Sequence, residues 1–180
     1  YDAYCFLIEA FGNEHLHDCT KVLTEARVTK TPWEIDILRY NAQKAELAMN
    51  KTAHETVPGM TCADVYTAFH RICLELCPEM TAVSQSHTCG PVIAPAWIPQ
   101  DTPLRRGDIV RLDGGPYTNG YKSDLGRSFA VGNYTTAERE EMYTTLYRGY
   151  EWGISHIGPG VRMRDVFYGV EQAIGMSEYV

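Results

Sequence analysis

One stretch limits the folds open to this chain more than any other: Asp113-Gly114-Gly115-Pro116-Tyr117-Thr118-Asn119-Gly120-Tyr121-Lys122-Ser123-Asp124-Leu125-Gly126-Arg127-Ser128-Phe129. Asn-Gly between apolar runs is a strong short-range signal for a β-hairpin. The preceding strand is expected over Asp108 to Asp113, carrying Ile109, Val110 and Leu112. The following strand is expected over Ser123 to Val131, ended by Gly132. With Asn119 and Gly120 as the two loop residues, Asp113 faces Gly126 and Asp124 lies on the diagonal. With the loop centred on Thr118 and Asn119, the two aspartates stand directly opposite. Both registers put the carboxylates on one face, because side chains alternate with a period of two. Close like charges repel and raise a pKa. A divalent cation removes that conflict, and hard carboxylate oxygens suit Mn, Fe, Zn or Co. Two aspartates at turn or strand ends facing solvent are the other reading of the same letters.

Capping signals mark the helices around this hairpin. Thr31, Pro32 and Glu34 form a capping box with proline at the first helical position. Ile35, Leu38, Ala42, Ala45 and Met49 trace one apolar face of a helix that should run to His54 or Glu55, short of Pro58-Gly59. Thr61 and Asp64 open a second helix striped by Val65, Phe69, Ile72 and Leu76. Residues 78 to 104 read as irregular or strand-like. Thr135 with Glu138 opens a helix through Tyr143, Leu146 and Tyr150, and a last helix starts near Arg164 or Asp165. Residues 1 to 30 read as strand material, from the alternation of Tyr4, Phe6 and Ile8, the turn at Gly12-Asn13, and Lys21-Val22-Leu23. Val57-Pro58-Gly59 through Asp64-Val65 echoes Gly158-Pro159-Gly160 through Asp165-Val166. This points to a duplicated unit of two helices and a hairpin.

Composition narrows the partners. The chain has 180 residues, with 16 basic against 23 acidic, a formal charge of −7. That charge disfavours nonspecific binding to nucleic acid or to an anionic membrane. No apolar run reaches spanning length, and no basic-then-apolar leader opens the sequence. The six cysteines, Cys5, Cys19, Cys62, Cys73, Cys77 and Cys89, fit no zinc spacing and no compact disulfide framework. They read as the thiols of a reducing compartment, and a cytoplasmic location is expected.

These pieces together resemble the creatinase, prolidase and methionine aminopeptidase family, the pita-bread metallopeptidases. The matching residues are Arg106-Gly107-Asp108, Asp113-Gly114-Gly115, Gly120-Tyr121, Asp124, Arg127-Ser128-Phe129 and Val131-Gly132. Arg27 to Ile35, with Lys30-Thr31-Pro32, matches the segment that opens the catalytic domain. The resemblance covers most of residues 25 to 170 and is nearest to the Xaa-Pro peptidases. It implies an α+β fold: an antiparallel sheet with helices packed on one side, a pseudo-two-fold repeat, here incomplete at the C-terminus. Residues 1–28 are then the tail of an N-terminal domain and 29–180 the first part of the catalytic domain. Asp113 and Asp124 are implied as metal ligands at a site for two divalent ions: manganese, iron, zinc or cobalt. A His and two Glu that complete the site are implied downstream of Val180. His156 and the later glutamates sit in helical contexts and read as helix-end and solvated residues. The 180 residues alone are expected to be inactive.

One departure bears on substrate. Peptidases of the family carry a His before the Gly-Asp strand, and that place falls here on Ala96 or Trp97. His87, upstream, reads as an ordinary loop residue. Trp97 could line a substrate pocket by stacking or simply fill core space. Three functions therefore stand open: a proline-type metallopeptidase acting on peptides; a creatinase-like or dimethylsulfoniopropionate lyase-like enzyme on a small C–N or C–S substrate; and a non-catalytic interaction domain. A homodimer is common among relatives.

Overall fold

The computed structural model describes residues 2–90 and 101–175; the expected pocket residue Trp97 and its alternate Ala96 lie outside them. At its centre is one long strand, β3 (Ile109–Thr118). Two short strands, β1 (Ala82–Gln85) and β2 (Thr88–Gly90), lie end to end along one edge of it. Along the other edge run β4 (Tyr121–Lys122) and β5 (Leu125–Ala130), and every pairing is antiparallel. The expected hairpin is therefore present, with β3 extending five residues past Asp113 to the turn. Residues 78 to 104, expected as irregular or strand-like, supply the two strands of the far edge.

The turn chooses between the two registers. Tyr117 pairs with Lys122, Thr118 with Tyr121 and Asp113 with Gly126. Asn119 and Gly120 are thus the two loop residues. Both have positive φ, 50° and 81°, the backbone of a type I′ turn whose twist matches that of the strands.

Helices cover one face of the sheet. α3 (Pro32–Glu55) and α4 (Cys62–Leu76) each begin with a complete capping box, Thr31 with Glu34 and Thr61 with Asp64. Their buried side chains, Ala48, Met49, Val65, Phe69, Ile72 and Cys73, meet Val110, Leu112, Leu104 and Val131 in one core. Each fully buried large side chain contributes about 1.5–3 kcal/mol. The stripe expected on α4 is the buried one, with Leu76 at its edge. On α3 the expected stripe drifts: Ala45 and Met49 are buried, Ile35 is exposed, and Asn41 is buried in its stead.

α5 (Ala137–His156) and α6 (Met163–Ile174) pack on each other. The cap of α5 is Thr136, which accepts from the Arg139 N–H, one residue later than expected. α6 starts at Met163, one or two residues earlier than expected. Both helix pairs are joined through a Pro-Gly whose glycine has positive φ, 98° at Gly59 and 85° at Gly160, so the sequence echo corresponds to two similar helical turns-around.

Residues 2–28 correct the sequence reading. They form α1 (Asp2–Phe11) and α2 (Thr20–Val28), with a 3-10 turn over Asn13–His15, and not strands. The alternation of Tyr4, Phe6 and Ile8 misled. Tyr4, Leu7, Ile8 and Phe11 in the same letters have the i, i+3, i+4, i+7 spacing of a helix. Neither helix buries a residue. No helix among the described residues is long and apolar enough to cross a membrane.

Candidate metal centre

Asp113 sits in mid-β3 between two buried neighbours, Leu112 and Gly114. The alternation that turns Val110 and Leu112 to the helices turns Arg111 and Asp113 to the open face of the sheet. Asp113 pairs with Gly126, and Asp124 lies two residues before Gly126. Asp113 stands within the ladder, and Asp124 stands just outside it, in the segment that leads into β5. Asp124 is exposed, in the two-residue gap between β4 and β5. That gap is fixed by Ser123, whose backbone N–H and hydroxyl both donate to the Pro116 carbonyl, at 3.1 and 3.0 Å.

The backbone at Asp113 is held from the opposite edge, where β1 and β2 part. The Ser86 N–H donates to the Asp113 carbonyl at 2.9 Å. The Asp113 N–H donates to His87 Nδ1 at 3.1 Å. His87 is therefore no ordinary loop residue. It is wholly buried, its ring packed against Tyr66 and Phe69 with centroids 4.7 Å away in each case, and its own N–H donates to the Tyr66 hydroxyl. An acceptor Nδ1 puts the proton of the neutral ring on Nε2, which is buried with no hydrogen-bond partner among the described residues. Burial pushes the His87 pKa down to about 4; the Asp113 carboxylate opposes this and Arg111 adds to it. Nothing in the sequence marked the role of this residue, because its partner is a backbone N–H 26 positions away.

The Asp113 carboxylate already draws a cation, the guanidinium of Arg111 two residues back on the same face. Gly114 lets the two strands close up beside it: a Cβ there would stand 2.0 Å from the Ser84 carbonyl oxygen. The tip of the hairpin is tied to α3. Asn41 Nδ2 donates to the Tyr121 carbonyl at 2.7 Å and Asn41 Oδ1 accepts from the Thr118 hydroxyl at 2.7 Å. The Tyr121 hydroxyl donates to Glu34.

The carboxylate oxygens of Asp113 and Asp124 are of the type that could hold a hard divalent cation, and Arg111 now pairs with those of Asp113. Among the described residues no group of three or more His, Cys, Asp or Glu stands ready for a metal. His156 is no part of this site; its ring stacks on Trp152 at 3.9 Å and bonds the Trp152 carbonyl, as a helix-end histidine should.

The sequence matches the pattern of Metallopeptidase family M24 over residues 36–179. It is 28% identical over 171 residues to the probable dipeptidase PepE of Mycobacterium tuberculosis, covering 89% of this chain and 44% of that protein. It is 27% identical over 154 residues to the Xaa-Pro aminopeptidase of Escherichia coli, covering 83% of this chain and 34% of that one. The solved Xaa-Pro dipeptidase from Bacillus anthracis superposes with a TM-score of 0.84 at 25% identity, over 99% of this chain and 50% of the other. The prolidase from Pyrococcus furiosus, at 20% identity, shares the fold with a TM-score of 0.85 over 96% of this chain and 52% of its own. The chain thus spans about half the length of these relatives, or less.

Proposed function

We infer, since this chain belongs to Metallopeptidase family M24, that residues 29–180 are the opening part of a catalytic domain that hydrolyses peptides at proline, with Asp113 and Asp124 among its metal ligands. The observation that supports this reading is the register: the Asn119-Gly120 turn pairs Asp113 with Gly126, two residues along the chain from Asp124. Relatives named Xaa-Pro aminopeptidase and Xaa-Pro dipeptidase favour a peptide with proline at the scissile bond. A pair of divalent ions, manganese among the candidates, when bound supplies an activated water and polarises the carbonyl under attack. The protein's own residues do the rest. Asp113 and Asp124 act as ligands and not as bases. His87 and Ser86 hold the Asp113 backbone, so the carboxylate is aimed before any cation arrives. Arg111 offsets the charge of Asp113. The cytoplasm is the compartment this reading assumes.

The lack of a histidine at Ala96 or Trp97 favours a second reading, a relative that cleaves a compact C–N or C–S substrate. Elemental analysis of the full-length protein, followed by assay on Xaa-Pro dipeptides, decides. We expect bound divalent metal and proline-specific turnover, with Asp124→Asn losing both. Metal without peptide turnover favours the second reading. A metal-free protein whose partner binding ignores Asp124→Asn would make it an interaction domain and end both.

A further inference from the structure

Two of the six cysteines meet. Cys62 is the first residue of α4, directly after its Thr61 cap. Cys89 is the middle residue of β2 and pairs with Val110 of β3. Their sulfurs stand 2.7 Å apart although the residues are 27 positions apart in sequence. Each is held in place independently of the other. Thr61 accepts from the Asp64 N–H and bridges to Pro103, while the ladder to β3 fixes β2. Unbonded atoms repel at such a separation, since even carbons rest ~3.5–4.0 Å apart; a covalent bond would bring the sulfurs to ~2.05 Å. The remaining cysteines differ. Cys73 and Cys77 lie buried one turn apart at the end of α4, and Cys5 and Cys19 are exposed.

We propose that Cys62 and Cys89 are a modification site: they close into a reversible disulfide that staples the start of α4 to β2. The oxidant is a small-molecule disulfide such as oxidised glutathione. Cys89, the less buried of the two, loses its proton to solvent, and its thiolate attacks one glutathione sulfur and releases a reduced glutathione. Cys62 then gives up its proton, its thiolate attacks the Cys89 sulfur, and the second glutathione leaves reduced. One S–S bond is exchanged for another, and two electrons pass from protein to glutathione disulfide. In a reducing compartment such a pair stays open and closes under oxidative load. The Cys89 thiol is held above its usual range, by its hydrogen bond with Cys62 and then by burial, so the first attack is slow at neutral pH. The staple lies two residues from His87 and therefore fixes the turn that holds the Asp113 N–H.

The test treats full-length protein with excess oxidised glutathione, traps remaining thiols with N-ethylmaleimide, and digests it without reduction. Mass spectrometry should find the Cys62 peptide joined to the Cys89 peptide with loss of two hydrogens. Dithiothreitol should part them, Cys89→Ala should abolish the product, and Cys77→Ala should leave it. Both residues carrying maleimide or separate glutathiones, or Cys62 joined to any other cysteine, would overturn the proposal. The readout on unaltered protein does not depend on either variant folding.

Discussion

Single residues carry two burdens that are easy to separate by experiment. His87 fills the space between Tyr66 and Phe69 and accepts the Asp113 N–H. His87→Ala leaves a cavity and an orphaned donor, at a combined cost of about 2–4 kcal/mol; urea unfolding measures it. Glu34 carries a different load. Its pKa is lowered to about 2, first by the Tyr121 hydroxyl and then by the Thr31 N–H. Because the folded value lies below the unfolded one, the stabilisation is fully present above about pH 4.5 and is lost as pH falls through about 2. Thermal unfolding followed across that window should show the loss, and Glu34→Gln should flatten the curve. Glu34 was legible as a capping residue because its partners Thr31 and Pro32 are neighbours in sequence. Its bond to Tyr121, 87 positions away, left no local trace.

Elements form here where local signals agree with the global pattern, and the sequence misleads where two periods fit the same letters. The boxes at Thr31 and Thr61, the apolar stripe of α4 and the Asn119-Gly120 turn each specify their element unaided. The hairpin register, with Asp113 opposite Gly126, is one of the two that the Asn-Gly signal left open, and the pairing of Thr118 with Tyr121 chooses it. α1 was lost to a helical spacing that also alternates, and β1 and β2 are too short to announce themselves; they exist because the edges of β3 need partners. The glycines beside Asp113 are part of the same requirement. Gly114→Ala would drive a methyl into the Ser84 carbonyl, so β1 must leave β3. The expected outcome is a loss of at least ~3 kcal/mol and fast hydrogen exchange confined first to residues 82–85 and 114–117.

For the molecule as a whole, the unequal fate of the two helix pairs matters most. α3 and α4 bury their stripes against β3. α5 and α6 leave Met142, Leu146, Ile154, Met163 and Phe167 exposed. So much apolar surface in one hairpin of helices is more than a monomer ordinarily leaves to water. The 180 residues should bind a hydrophobic dye and self-associate with rising concentration, as light scattering would show; a dye-silent monomer at all concentrations would contradict this. Asn41 gives the fold one more property. A single amide grips both arms of the turn, so the acidic strands and the front of a long helix share one fastening. Whatever unwinds that helix as far as its third turn, from the cap at Thr31 inward, frees both arms of the turn in a single event.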